Sequence, residues 1–180
     1  MAGRSTRSLG SIKSVDHPIS CLVTRPAEKS QRAFAVAASQ FVQAIERVSA
    51  EISDEGLIVR GLTELDVELG VWEVKQNFAN VYVGKPEVAY DLGPPLLEPY
   101  YRAIIYVPEE CVAPVVGDMS TRRAALQAVR DDPNGKRVVA LVPVSECFGY
   151  STVLRALTRG RGKFFVEFSH YGRAGGNDAA

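Results

Sequence analysis

Hydrophobic spacing along this chain changes period twice in the same order, strand, helix, strand, strand, helix, strand, and few architectures accommodate that order. In the first pass, residues 19–24 alternate as a strand. Phe34, Ala38, Phe41 and Ile45 then share one face of a helix expected over 27–45. Two strands over 48–52 and 57–62 flank the turn residues Ser53-Asp54-Glu55-Gly56 and form a hairpin. A helix over 64–78 follows. Leu65, Leu69 and Trp72 recur at helical spacing beside Val67, Val71, Val74 and Phe78, so a broad apolar face is expected. A strand over 81–90 closes the unit.

The second pass opens with a strand over 101–107. Pro108-Glu109-Glu110 then starts a helix, with proline early and acids at the positive end of the dipole, and Cys111, Val115 and Met119 turned to the sheet. Pro114 falls inside that helix. An interior proline removes a hydrogen bond and costs about 3 kcal/mol, which predicts a kink or a short helix. Strands over 124–130 and 137–142 flank Asp131-Asp132-Pro133-Asn134-Gly135, a strong hairpin turn. Ser145 is the expected cap of the next helix, Tyr150, Val153, Leu154 and Leu157 its buried face, Gly160 its end, and 163–171 the last strand. The pattern predicts an α+β chain of two tandem ferredoxin-like (βαββαβ) sandwiches, antiparallel sheets with helices on one face. The expected divisions are a flexible tail at 1–16, a domain over 17–90, a linker at 91–95, a domain over 96–172 and a tail at 173–180. The linker, Asp91-Leu92-Gly93-Pro94-Pro95, is stiffened by its prolines and limits how the domains sit together.

Charge adds little direction of its own. Lys plus Arg and Asp plus Glu are each 21, so no overall field draws the chain to nucleic acid or membrane, and electrostatic recognition must be local. Residues 1–95 carry 10 basic and 12 acidic side chains and residues 96–180 carry 11 and 9, a slight positive tilt in the second half. Cys21, Cys111 and Cys147 stand singly, without the spacing of a zinc site or a disulfide framework, which fits a reducing cytoplasm. His17 and His170 have no cysteine or acid at metal spacing, so neither metal nor cofactor is expected. No nucleophile–base constellation is legible.

Four ordered motifs carry a family resemblance. Phe148-Gly149-Tyr150-Ser151-Thr152-Val153-Leu154-Arg155-Ala156-Leu157-Thr158-Arg159-Gly160-Arg161-Gly162-Lys163, with Pro143-Val144-Ser145-Glu146-Cys147 before it and Phe168-Ser169-His170-Tyr171 after it, resembles the last domain of elongation factor G, the ribosomal translocase. Gly117-Asp118-Met119-Ser120-Thr121-Arg122-Arg123 resembles the segment after that domain's first helix. Gly61 to Leu69 and Val83-Gly84-Lys85-Pro86-Glu87-Val88-Ala89-Tyr90 resemble the family's third domain. The resemblance covers 57–90 and 97–171, fades over 17–56 and is absent from the first 16 residues. It implies a third and a fifth domain joined directly, where the family places a large fourth domain between them. No Gly-x-x-x-x-Gly-Lys-Ser/Thr phosphate loop occurs in these residues, so GTP hydrolysis is not expected of them, nor is translocation or tetracycline protection, which use the fourth domain. The family's Gly-Glu-Leu-His turn reads Thr63-Glu64-Leu65-Asp66 here, Ala124 replaces a usual glycine, and Arg159 stands where glutamine is common.

The candidate RNA contacts are Arg159, Arg161 and Lys163, clustered with glycines at a helix end, together with Arg122, Arg123 and Lys85. Each has a plainer alternative: the helix-end cations complement the dipole, Arg122 and Arg123 are solvated loop charges, and Lys85 sets the strand exit before Pro86. With the resemblance, they imply a non-GTPase module that binds the ribosome at the translational-factor site, at the large-subunit stalk base, and modulates or competes with full-length factors. A separate GTPase-bearing chain is a further implied partner. The alternatives are an off-ribosome interaction module, and a vestigial fragment, to which Pro114 and the altered Thr63–Asp66 turn would point.

Overall fold

The structure, a computed structural model, describes residues 17–175; the tail expected at 1–16 and the last five residues of the one expected at 173–180 lie outside them. β1 (Ile19–Thr24), β2 (Val48–Ser53) and β3 (Gly56–Gly61) form an antiparallel sheet in the order β2-β3-β1, with two short strands, β4 (Tyr82–Val83) and β5 (Glu87–Val88), paired to the free side of β1. α1 (Gln31–Val42) and α2 (Glu64–Asn77) pack on this sheet. The second sheet runs β7-β8-β6-β9, from β6 (Leu97–Val107), β7 (Ala125–Asp132), β8 (Gly135–Pro143) and β9 (Lys163–Arg173), with α3 (Val112–Thr121) and α4 (Tyr150–Leu157) on one face. Both sheets have the order of a ferredoxin-like βαββαβ unit, the fold class expected.

Several elements differ from expectation for local reasons. α1 starts at Gln31 because the Ser30 side chain accepts the Ala33 N–H and caps it there, and its buried side is Phe34, Ala35, Ala38, Ser39 and Val42, with Phe41 exposed. α2 buries only Val67, Gly70, Val71 and Val74. Leu65, Leu69 and Trp72 face out, Leu65 at 72% and Trp72 at 54% exposure, because one helix lies on one sheet and nothing among the described residues covers a face wider than that contact. The glycine matters here: a Cβ on Gly70 would stand 2.7 Å from a Val59 methyl, so it sets how closely helix and sheet approach. The strand expected over 81–90 is broken at Gly84-Lys85-Pro86, since proline has no N–H to continue a ladder.

In the second unit a 3₁₀ turn, Glu109–Cys111, leads into α3. Pro114 therefore lies in the first turn of α3, where N–H groups have no intrahelical partner, and the expected penalty does not arise. Ser145 does not cap α4: it sits in a 3₁₀ turn, Val144–Glu146, and the cap position is Gly149, with φ +67°. β9 continues to Arg173, the first residue of the tail expected at 173–180. The Asp132–Gly135 hairpin forms as expected, and a Cβ on Gly135 would stand 2.3 Å from the Val107 carbonyl oxygen, which excludes other residues there.

The connection between the sheets is pinned by two hydrogen bonds, Asp91 N–H to the Leu97 carbonyl and Leu97 N–H to the Asp91 carbonyl, both 3.0 Å. The apolar cluster of the first unit runs without a break into Tyr101, Ala103, Val142 and Val144 of the second. Polar contacts fix the same junction. The Tyr101 hydroxyl donates to the Leu62 carbonyl, the Gly149 N–H to Glu64 Oε2 at 3.0 Å, and the Tyr171 hydroxyl to the Ala89 carbonyl at 3.3 Å.

Candidate nucleic-acid interface

α4 turns Tyr150 and Leu154 to the core and Arg155 to solvent, then ends in a Schellman turn. The Gly160 N–H donates to the Arg155 carbonyl at 2.8 Å and the Arg159 N–H to the Ala156 carbonyl at 3.4 Å. Arg159 occupies the left-handed position, φ +52°, that such turns usually give to glycine. Buried Thr158 closes the turn from inside: its hydroxyl donates to the Leu154 carbonyl at 2.7 Å and accepts the Gly162 N–H at 2.8 Å. One helix end and its turn thus present Arg155, Arg159, Arg161 and Lys163.

Between this turn and the β7–β8 hairpin lies a groove of about 580 Å³. Tyr106 and Phe165 form its floor, their rings edge to face at 6.0 Å, with Arg161 and Lys163 on the turn side and Asn134 and Lys136 on the hairpin side. Arg161 pairs with Glu110 at 2.8 Å, and Lys136 with Asp131 at 2.5 Å and Glu109 at 3.4 Å. These pairs are at the surface, where such interactions contribute little, so both cations can exchange a carboxylate for a phosphate. Arg155, Arg159 and Lys163 have no carboxylate at ion-pair distance among the described residues. Aromatic rings beside cations at the surface suit an anion that also carries a flat ring.

The other three sequence candidates lie elsewhere. Arg122 donates to Asp118 at 2.7 Å and to the Glu146 carbonyl at 2.7 Å, with its guanidinium 5.0 Å over the Tyr150 ring, whose buried hydroxyl has no partner among the described residues. Arg123, left-handed at φ +57°, clamps Glu98 with two bonds of 2.7 and 3.1 Å and reaches Glu146 at 3.0 Å. Glu98 is only 2% exposed. Burial alone would raise its carboxyl, but Arg123, with the Gly175 N–H and the Tyr100 hydroxyl, outweighs that and holds it below the ordinary range. Both arginines are thus tied to carboxylates that fasten α3, β6 and the β8–α4 connection. Lys85 is exposed at the break between β4 and β5 of the first sheet and does not line the groove.

Arg155, Tyr106, Phe165, Asn134 and Lys136 were not singled out from the sequence. Phe165 carried the one available signal, an aromatic in the outward phase of an alternating strand; pairing it with Tyr106 requires the β6–β9 register. Cys147, on the β8–α4 connection away from the groove, is held as the thiol, since burial pushes it up to about 12.

Comparison with known proteins bears on the same residues. The family model for the elongation factor G C-terminus matches residues 95–180, which include every residue of the groove. Elongation factor G 1 of Pseudoalteromonas atlantica is 33% identical over 145 residues; the match takes in 73% of this chain and 20% of that protein, so the chain spans about a fifth of its relative's length. The crystal structure of ttk003000868 from Thermus thermophilus superposes over 97% of this chain and 44% of that one with a TM-score of 0.62, and at 15% identity it shares the fold.

Proposed function

We propose that this chain, related to the C-terminal part of elongation factor G and carrying that family's C-terminal domain over residues 95–180, is a ribosome-binding module that docks at the translational-factor site and modulates or competes with full-length factors. It acts in the cytoplasm by occupancy, and these residues are assigned no GTPase or other catalytic step. The observation that supports the reading is the helix-end cluster: Arg155, Arg159 and Lys163 carry no ion-paired carboxylate, and Arg161 only an exposed one, on the domain the family match covers. The stalk-base RNA of the large subunit is the assigned contact. Arg122, Arg123 and Lys85 are auxiliary candidates at most, the two arginines through charge left over from their ion pairs.

The test is cosedimentation of the full chain with 70S ribosomes and isolated large subunits across a salt series, beside an Arg159→Ala, Arg161→Ala, Lys163→Ala triple variant. Saturable binding that weakens with salt, with a shallower slope and lower affinity in the variant, is expected. A folded protein that fails to sediment at low salt would sink the reading.

A second reading draws on the stripe Leu65, Leu69 and Trp72, which leaves an apolar helix face uncovered. It makes the first unit a protein-interaction surface, on or off the ribosome, for a separate chain such as one bearing a GTPase domain. Trp72 fluorescence, titrated with candidate translational GTPases, tests it: no emission change with any of them removes its support.

A further inference from the structure

The helices α3 and α4 and the whole first unit pack on one side of the second sheet, through Tyr101, Ala103, Ile105 and Val107 of β6. The alternate residues of β6, Arg102, Ile104 and Tyr106, point to the other side. No helix among the described residues covers that face, and strand register orders it into rows. One row runs Arg130–Arg137–Tyr106–Lys163 across β7, β8, β6 and β9. The next runs Ala128–Val139–Ile104–Phe165. The first is cationic with one aromatic and the second apolar, ending on a phenyl ring that is 55% exposed.

The basic row is unfavourable as it stands. Arg130 and Arg137 are directly opposed cross-strand partners, a placement that destabilises a sheet, and neither has a carboxylate at ion-pair distance among the described residues. Such a row is relieved by an anion laid along it. Four strands make it about 14 Å wide, enough for a stretch of polyanion rather than a single phosphate. The apolar row beside it excludes a second row of charges and offers ring faces instead. The carboxylates beside it are already engaged: Glu167 pairs with Arg102 at 3.4 Å, Asp132 accepts the Asn134 N–H at the hairpin end, and at the groove rim Glu110 pairs with Arg161 while Asp131 and Glu109 pair with Lys136.

We propose that this helix-free face binds single-stranded RNA, with the sugar–phosphate backbone along Arg130, Arg137 and Lys163 and a base stacked on Phe165 against Tyr106. Unpaired bases stack on aromatics of open four-stranded sheets, whereas a duplex keeps its ring faces to itself and meets such a surface with phosphates alone. The groove beside Tyr106 and Phe165 takes the stacked nucleotide, with Asn134 and Asp132 at its base edge. The choice of RNA over DNA rests on the ribosomal reading above; the stacking platform does not.

The test is fluorescence anisotropy of the full chain with a labelled single-stranded RNA of about 12 nucleotides, the same-length RNA duplex and the same-sequence single-stranded DNA, at several salt concentrations. The single-stranded RNA is expected to bind about fivefold or more tightly than the duplex, with a log–log salt slope of about −0.7 per phosphate engaged. Phe165→Ala weakens it about tenfold and Phe165→Tyr returns it to within about twofold. Arg130→Ala lowers the salt slope by about one phosphate and leaves the preference for single strands. An exposed Phe165 is dispensable for folding, and circular dichroism checks that the variant is folded. Equal binding of single strand and duplex, or Phe165→Ala equal to the parent, overturns the proposal; equal binding of DNA overturns the choice of RNA alone. Loss of oligonucleotide binding with salt-sensitive cosedimentation retained rejects this platform and keeps the ribosomal reading. The reverse pattern rejects that reading and keeps the platform.

Discussion

Glu98 shows how one buried charge can hold a junction together. Its carboxylate, enclosed on β6, takes two bonds from Arg123 and one from the Gly175 N–H, so a strand, the second residue after α3 and the second residue after β9 meet at one group. Its folded pKa lies below its unfolded one despite burial, because those donors favour the ion. The contribution is therefore complete above the unfolded carboxylate range, near about 4.3, and is lost as pH falls through the lower folded value. Thermal stability should be flat through neutral pH and fall below about pH 4. Glu98→Gln is expected to cost about 1–3 kcal/mol at neutral pH, with a shallower acid decline, read from melting curves across the acid and neutral range. An unchanged acid limb would show that other carboxylates control it.

Among the elements, the start of α2 and the end of α4 carry two of the departures from the elongation factor G pattern, and each is accommodated locally. The Thr63-Glu64-Leu65-Asp66 turn forms a capping box: the Asp66 N–H donates to the Thr63 hydroxyl oxygen at 3.3 Å and the Thr63 N–H to Asp66 Oδ2 at 2.8 Å. With Pro114 in a first turn, neither feature that pointed to a decaying sequence is a structural defect. α4 ends with Arg159 in a left-handed position that costs a side-chain-bearing residue about 1 kcal/mol. Arg159→Gly should therefore raise the melting temperature by about 2–3 °C, while Arg159→Ala, which keeps the strain, leaves it within about 1 °C. Both should bind ribosomes less well. A glycine variant no more stable than the alanine variant would show that the turn is not strained.

For the whole molecule, the decisive feature is that the two units share one apolar cluster and the polar ties of Tyr101, Glu64 and Tyr171, with Asp91↔Leu97 bridging the backbone between them. Burial pushes the Tyr101 hydroxyl far above its ordinary range, so it remains a neutral donor to the Leu62 carbonyl at any working pH. Urea unfolding followed by Trp72 fluorescence, in the first unit, and by far-UV circular dichroism should give coincident transitions. Tyr101→Phe, a change in the second unit, should shift both by about 1–2 kcal/mol, because it leaves the Leu62 carbonyl unpaired at the junction. If the Trp72 transition stayed in place, the units would be independent and the shared cluster would carry no coupling.

Period and turn chemistry are local, and they are legible from the sequence by itself: β1, the Asp132–Gly135 hairpin, the Val67, Val71, Val74 face and the Gly160 helix end follow from residues a few positions apart. The four motifs likewise pointed to the family. Local pattern could not say which half of a wide apolar helix face meets the sheet, and so misplaced Leu65, Leu69 and Trp72. Nor could it tell which arginines find carboxylates: Arg123 meets Glu98 across 25 residues, while Arg159, in an equally basic stretch, meets none at ion-pair distance among the described residues. The Arg130–Arg137–Tyr106–Lys163 row depends on the register of four strands that span the whole second unit. Charge pairing and cross-strand adjacency depend on distance in space, and that distance is set by how the sheets and helices pack.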